Sequence, residues 1–492
     1  MQRKYDRFKN HILERIVSST LMEPFIQHPK ILGLLAVMED LEIDNINQRQ
    51  SDLLCDIRVQ HQWNWFQEAL HYDPPKYYSE MAEIGLYILQ HGKAAHTSRS
   101  PSAADFLVMN CKDWQHWLLT GTGDKIVVLQ DPDWFRTRPE VFGSSLLKQY
   151  KLRHPQTLKI DVQDYDLNHQ GPGTTFVVSK DIDAAIDRFE NSDGRRRCPV
   201  NLLNLSSKED GLVPWPLAKH CTMLNEAAAV AVNVAQTKYK SVAGPGKEFT
   251  ETMTKAIDLQ SCMHFQILGQ AGAISGWHMD HIGPYTWVTL EPNLPQDLDY
   301  PDNVLKLWAV VRTDNLSWED DMKVRAQFRR EGQHFLPPPN LIRIISLTAG
   351  DTLIMPPGTI HAPITITNCL FRGGMAVQER NLQKHVKAWR FCVENDRCTN
   401  EDVPKQSRSV VDFFRTRVQQ DPAVCGYLGK KGLQEFEDDW RVISGRSLKC
   451  TCQDGCKRKN CVCRVSAQRC GNKCHNGIAK CDNPLGCEAL VL

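Results

Sequence analysis

Gly276-Trp277-His278-Met279-Asp280 and, further along, Pro356-Pro357-Gly358-Thr359-Ile360-His361 are the two stretches on which the reading of this chain turns. If His278 and Asp280 share a β-strand, their spacing of two aims both side chains at one face. A second strand carrying His361 then completes a set of two imidazoles and one carboxylate. Such a set holds a first-row metal, most typically non-haem Fe(II), and leaves coordination positions open for a cosubstrate and dioxygen. An H-x-D tripeptide alone is commonplace among surface and core polar residues, so its surroundings decide. Gly350 to Gly358 reads as a turn, a short apolar strand and a second rigid turn, which delivers His361 to a fixed point inside a barrel. Lys306 lies in the apolar run Val304 to Val311, where a buried cation requires an anion. A dicarboxylate cosubstrate supplies one. Ser275, three residues before His278, places a hydroxyl able to share the same carboxylate.

Around this pair the sequence is strand-like: His264 to Leu268, Thr286 to Leu290, Leu305 to Arg312, Leu341 to Leu347, Thr352 to Met355 and Ala362 to Thr367. Turn residues punctuate the runs at short intervals, which favours an antiparallel jelly-roll barrel over a parallel α/β sheet. Lys125 to Leu129 and Val200 to Leu205 read as earlier strands. The start of the chain, to about His96, is helical by the spacing of Ile12, Ile16, Ile31, Leu34, Leu35 and Met38, and Leu217 to Tyr239 reads as an alanine-rich buried helix. Helical spacing returns after Asn381, with Val386, Trp389 and Val393, then Val411, Phe414 and Val418. The expected fold class is α+β: a double-stranded β-helix (jelly-roll, cupin-like) barrel with amino- and carboxy-terminal helices and a small zinc module. The expected units are a helical scaffold over 1–104, a catalytic region over 105–380 with its metal-binding core at 259–380, a helical extension over 381–445 and the zinc module over 446–490.

The chain has 492 residues, with Lys+Arg 59 against Asp+Glu 58, so no global positive charge drives association with polyanions. The first twenty residues carry charges throughout and lack the apolar core of a signal peptide, and no apolar run is long enough to span a bilayer. A soluble intracellular protein is the expectation, with no membrane partner. The N-x-S matches at Asn204 and Asn315 then carry no meaning, and neither does Gly244-Pro245-Gly246-Lys247, which lacks the first glycine and the Ser/Thr of a phosphate loop. His264 and His281 read as ordinary polar residues, with His281 on the face opposite Asp280, and Arg195-Arg196-Arg197 as a solvated loop.

Nine of the 18 cysteines fall in one segment, at Cys450, Cys452, Cys456, Cys461, Cys463, Cys470, Cys474, Cys481 and Cys487. In a reducing compartment clustered cysteines bind metal rather than pair. Three tetrahedral zincs need twelve ligand bonds, and nine thiolates supply them if three bridge. Residues 449–492 also carry eight Lys/Arg against three Asp/Glu, a local net of +5, so a phosphate-binding surface is expected there.

Gly276 to Trp287, Lys306 and Gly350 to Gly374 resemble the Jumonji-C domain of the Fe(II)- and 2-oxoglutarate-dependent oxygenases. They are most similar to the branch that includes the F-box and PHD-finger histone lysine demethylases. That branch has H-x-D followed seven residues later by Trp, as Asp280 and Trp287 are here, and P-x-G-x-x-H-A, as in Pro356 to Ala362. The resemblance implies that His278, Asp280 and His361 ligate iron, that Lys306 pairs with the distal carboxylate of 2-oxoglutarate, and that Ser275 stands where the family usually has Thr. It implies oxidative decarboxylation of 2-oxoglutarate to succinate coupled to C–H hydroxylation; on an N-methyl group the product collapses to formaldehyde and free amine. Phe265 stands where that branch has Tyr, Met375 where it has Asn, and Asn293 to Asn303 is inserted before Lys306. These departures bear on substrate choice.

The first seven cysteines of the carboxy-terminal segment resemble the CXC (tesmin/TSO1-like) zinc domain, whose members bind DNA. Asn460 occupies the position from which some members insert a Tyr into the minor groove, and His475 is an alternative ligand where the last cysteines depart from the pattern. Together the resemblances imply a nuclear dioxygenase acting on a histone tail or other chromatin protein, histone lysine demethylation being the first expectation. A protein hydroxylase of the same family, and a DNA-binding scaffold with an inactive barrel, are the alternatives.

Overall fold

The computed structural model describes residues 29–59, 76–121, 123–130, 142–153, 159–165, 177–190, 198–205, 213–243, 263–293, 304–400 and 407–446. The cysteine-rich segment, the Arg195 to Arg197 run and the Gly244 to Lys247 turn lie outside them. The first half comprises α1 (Pro29–Val59), α2 (Lys76–His91), β1 (Lys93–Ala94), β2 (Phe106–Met109), α3 (Cys111–Thr120), β3 (Ile126–Leu129), α4 (Ser144–Arg153), β4 (Lys159–Asp164), β5 (Val177–Asp181), α5 (Ile182–Glu190), β6 (Val200–Leu205), α6 (Trp215–His220) and α7 (Met223–Ala243). The second comprises β7 (Phe265–Gly269), β8 (Tyr285–Leu290), β9 (Leu305–Val311), α8 (Trp318–Glu331), β10 (Ile342–Thr348), β11 (Thr352–Met355), β12 (His361–Thr365), β13 (Cys369–Ala376), α9 (Leu382–Glu394), α10 (Ser407–Gln420) and α11 (Gly429–Arg446). The alanine-rich stretch is two helices rather than one, because the backbone leaves helical angles at Cys221 (φ −126°, ψ 53°). No helix among the described residues is long and apolar enough to cross a membrane.

The chain is α+β, with two large sheets. The smaller has the order β1-β10-β9-β12 and the larger β2-β3-β11-β8-β13-β7-β6-β4-β5. Neighbours are antiparallel except at β1–β10 and β2–β3. The residues before the first histidine lengthen the small sheet beyond β12: Gly272 N donates to Thr365 O at 2.9 Å, Ser275 N to Pro363 O at 3.2 Å and His278 N to His361 O at 3.0 Å.

Period-two alternation assigns each strand an inner and an outer face. Trp308, Val310, Ile345 and Leu347 of the small sheet meet Val288, Leu290, Leu353, Met355 and Phe371 of the large one in a shared apolar core. The outer face of the small sheet, with Leu307, Ala309, Ile344 and Ile364, is covered by Leu54 and Ile57 of α1, Met81 and Ile88 of α2 and Phe328 of α8. Each such side chain, fully buried, contributes about 1.5–3 kcal/mol, so the helices are held by the sheet rather than by their own propensity. Gln50 of α1 adds a polar staple, donating to Ser346 O at 2.9 Å and accepting from Ser346 N at 2.7 Å. Beyond the other end, α9, α10 and α11 pack through Trp389, Val411, Phe414 and Phe436.

Candidate metal centre

His278 and His361 face each other as a closed antiparallel pair. His278 N donates to His361 O at 3.0 Å, and His361 N to His278 O at 2.9 Å. Directly opposed residues share a face, and the two rings stand 4.2 Å apart between centroids. Asp280 Oδ1 lies 3.9 Å from His278 Nε2 and 3.6 Å from His361 Nε2. One ligand atom from each residue fits within a mutual spacing of 4.8 Å, the size of a first-row metal's coordination shell.

Asp280 reaches this position at the expected spacing of two, since Trp277 and Met279 pack in the outer core while His278 and Asp280 turn to the metal face. The ladder with β12 ends at His278, and on the other edge Met279 N donates to Cys398 O at 2.8 Å. Asp280 therefore sits in the irregular connection to β8, where its own carbonyl lies 3.7 Å from Cys392 Sγ. That connection is clamped from behind. Ile282, fully buried, holds a φ of 71°, a left-handed conformation that costs a β-branched residue about 1–3 kcal/mol. It persists because Ile282 packs with Met375, Val386 and Trp389 and because His385 Nδ1 bonds the next carbonyl, Gly283 O, at 2.7 Å. His281 leaves the centre and lies edge-on to Trp389 at 6.5 Å.

The imidazoles are oriented for coordination. Nδ1 of His278 lies 2.7 Å from Gly276 O, and Nδ1 of His361 lies 3.1 Å from Thr359 O. Each carbonyl takes the Nδ1 proton, which leaves the Nε2 lone pairs turned to Asp280 and to the space between them. Burial holds the His278 pKa down to about 3, helped by the neighbouring His361 and opposed by Asp280, so the ring is a neutral donor at physiological pH. Gly276 is required at its position: a Cβ there would stand 2.7 Å from Gln333 O, the acceptor of Trp277 N. Trp308 stacks on His361 with ring planes 18° apart and centroids at 5.8 Å.

Lys306 lies deeper along the same face. It is opposite Thr365 on β12, as Val310 is opposite His361, so the two levels are separated by four residues, about 13 Å of strand. Its ammonium is 3% exposed, donates to Thr365 Oγ1 at 2.9 Å and lies 4.2 Å over the Phe371 ring. No carboxylate pairs with it among the described residues, and burial lowers its pKa. Gly269 marks a neighbouring polar group: a Cβ there would lie 3.1 Å from Thr365 Oγ1 and 3.2 Å from Asn201 Oδ1. Asn201 donates to Gln163 Oε1 at 2.9 Å, while its buried Oδ1 has no hydrogen-bond partner among the described residues.

Ser275 is three residues from His278, an odd spacing that regular alternation would place on the opposite face. The register with β12 changes by one residue between the Ile274–Ile364 and His278–His361 bridges. Ile274 packs on the outer face, so Ser275 turns inward with His278. Its hydroxyl makes no hydrogen bond among the described residues. Trp308 and Thr365 were not singled out from the sequence, yet each is at even spacing on its strand, two from Lys306 and four from His361. Asn201 carried no such signal, because only the β6–β7 pairing brings it opposite Gly269. No protein-family profile matches this chain, and no curated protein matches it.

Proposed function

We propose that this chain is an Fe(II)- and 2-oxoglutarate-dependent dioxygenase acting on a side chain of a chromatin protein, such as a histone tail. The observation that carries the reading is the combination on one buried face of His278, Asp280 and His361 with Lys306, a cation lacking a carboxylate among the described residues. The donor set fits iron: two imidazoles with Nε2 turned inward and one carboxylate at one face, with the rest open. Lys306 fits the distal carboxylate of 2-oxoglutarate, with Thr365 orienting the ammonium and Ser275 and Asn201 offering further polar contacts. When bound, the metal supplies the activation of dioxygen that oxidises a C–H bond. The protein's own work is to hold the ligands aimed, to receive the dicarboxylate at Lys306 and to exclude water with the apolar core.

Strand order supports a double-stranded β-helix. Taking 272–278 as the second strand, the eight strands from β7 to β13 alternate between the sheets except at β9 and β10, the hairpin that stays in the small sheet. One sheet then reads first-eighth-third-sixth and the other second-seventh-fourth-fifth, the order left by winding an antiparallel ribbon into a helix. The basic tail, with zinc on Cys450, Cys452, Cys456, Cys461, Cys463, Cys470, Cys474, Cys481 and Cys487, would supply the DNA contact and a nuclear location. Demethylation and side-chain hydroxylation use the same centre up to the fate of the hydroxylated carbon.

His278→Ala tests the proposal. Succinate release from 2-oxoglutarate should fall to background while thermal unfolding stays cooperative, and Fe(II) with 2-oxoglutarate should stabilise only the wild type. Unchanged succinate release in the variant would sink the oxygenase reading, and absence of any stabilisation in the wild type would favour the scaffold with an inactive barrel.

A further inference from the structure

The inner face opposite the triad has a composition of its own. Met355 of β11 and Met375 of β13 both stand directly across from Thr286 of β8, so the three form one row across the large sheet. Period-two alternation puts them on its inner face with Val288, Leu353 and Phe371, Met355 packing in the shared core and Met375 against Ile282. The ends of the row are tied to the two sides of the triad. Trp308, stacked on His361, donates from Nε1 to Met355 Sδ at 3.1 Å. Met375 packs with Ile282, two residues beyond Asp280. The row is therefore level with the ligands, while Lys306 and Phe371 lie deeper. Phe265 adds an aromatic wall, its ring filling the space that a side chain at Gly373 would need. All are buried, and the one polar group, Thr286 Oγ1, has no hydrogen-bond partner among the described residues.

This lining can be asked what it would accept. A methylated lysine brings a permanent or titratable positive charge, which in a dry site needs a carboxylate or free aromatic faces. The carboxylate of this site, Asp280, belongs to the metal's donor set. Two of the three aromatic rings are already engaged, with Phe371 under the Lys306 ammonium and Trp308 on His361, which leaves the Phe265 ring alone where recognition of a methylated ammonium uses a cage of several. What remains is two thioethers, one phenyl ring and one unpartnered hydroxyl. That surface suits an uncharged group with aliphatic C–H bonds and at most one hydrogen-bonding atom, such as a branched aliphatic or carboxamide side chain.

Resting on the oxygenase reading above, we propose that Met355, Thr286, Met375 and Phe265 select a neutral side chain, and that the chain is a protein hydroxylase. In that reaction the substrate C–H, dioxygen and 2-oxoglutarate give C–OH, succinate and carbon dioxide. One oxygen atom enters the alcohol and the other the new succinate carboxylate, and no formaldehyde is released because no C–N bond is opened.

The test uses the full chain loaded with Mn(II) and 2-oxoglutarate, with two probes of one shape: Nε-trimethyl-lysine and its isostere in which carbon replaces the charged nitrogen. Paramagnetic relaxation of the probes' terminal methyl protons reports their approach to the metal. The neutral isostere should bind at least tenfold more tightly than the ammonium, and Met375→Glu, which supplies a countercharge, should reverse the order. Equal or tighter binding of the ammonium by the wild type, or relaxation of neither probe, overturns the proposal. If Met375→Glu fails to fold, the wild-type comparison decides alone. Relaxation of the 2-oxoglutarate protons is read in the same sample. Its absence sinks the oxygenase reading itself, whereas its presence with the ammonium preferred sinks only the substrate class.

Discussion

Replacing Lys306 with methionine should stabilise the empty protein and at the same time abolish its response to 2-oxoglutarate. The ammonium is buried with one hydroxyl, Thr365 Oγ1, as its hydrogen-bond acceptor among the described residues. Taking a cation out of water costs several kcal/mol. The Phe371 and Trp308 rings, at 4.2 and 5.9 Å from Nζ, return about 0.5–2 kcal/mol of that. Methionine has a similar length and no charge, so a gain of about 1–3 kcal/mol in the ligand-free state follows. The bound state reverses the sign. Losing one partner of a desolvated charge pair costs about 3–5 kcal/mol, a weakening of at least roughly a hundredfold in Kd. With 2-oxoglutarate at one hundred times the wild-type Kd, ligand binding adds about 2.7 kcal/mol to the wild type and less than about 0.5 kcal/mol to the variant. Urea unfolding of both proteins with Mn(II), with and without 2-oxoglutarate, measures all four stabilities, provided the slopes agree. A variant less stable than the wild type without the dicarboxylate would show that Lys306 is already paired. A variant that gains as much as the wild type would show that the dicarboxylate does not meet Lys306.

Three further outcomes follow from the support around the ligands. His385 is buried, bonds Gly283 O through Nδ1 and accepts from Gln378 N at 3.2 Å, and burial takes its pKa down to about 4. An unfolded imidazole binds its proton near 6.5, so the stabilisation is full above that pH and is lost as pH falls toward 4. About 3 kcal/mol of wild-type stability should vanish across this window, and that loss should be missing from the curve of His385→Asn, as read by denaturation at each pH. At Ile282, where φ is 71°, the usual order of truncations should change. Ile282→Gly should be at least as stable as Ile282→Ala, although glycine is ordinarily about 0.5–1 kcal/mol the worse of the two; alanine clearly ahead would mean that the left-handed backbone is not held. Gly276→Ala must push its Cβ against Gln333 O, and should cost about 1–3 kcal/mol and weaken Co(II) binding, because Gly276 O also holds Nδ1 of His278. Unchanged Co(II) affinity in that variant would detach the carbonyl from the metal site.

Much of the strand pattern was legible because alternation and turn residues are local signals. Thr352 to Met355 and Val200 to Leu205 are strands with the expected bounds, and the other expected strands differ by a residue or two at their ends. His361 was legible because it follows a rigid turn, and His278 through its H-x-D spacing. The shared face of His278 and Asp280 was legible too, from the strand spacing of two. What was not legible is that the ladder with β12 ends at His278 and that the other edge is held by Met279 N donating to Cys398 O, a carbonyl more than one hundred residues away in sequence. No periodicity within the tripeptide reports that partner.

Ser275 shows the same limit from the other side. Its spacing of three from His278 argues against a common face, and only the one-residue change in register with β12 brings it inward. The two exceptions compensate: an extra residue before the first histidine and a broken ladder after it. Both replace regular strand geometry with contacts made by distant elements, Pro363 of β12 in one case and the segment after α9 in the other. Trp308 and Thr365, by contrast, obey the period-two rule and sit in the hydrogen-bonded interior of the small sheet. Regular pairing thus fixes the dicarboxylate end of the site, around Lys306, and irregular backbone fixes the metal end. A centre built this way can change its aim at a substrate through the 279–284 connection and α9 without disturbing the strand that carries Lys306, so variants at Ile282 or His385 should alter metal affinity and substrate choice before they alter the response to 2-oxoglutarate.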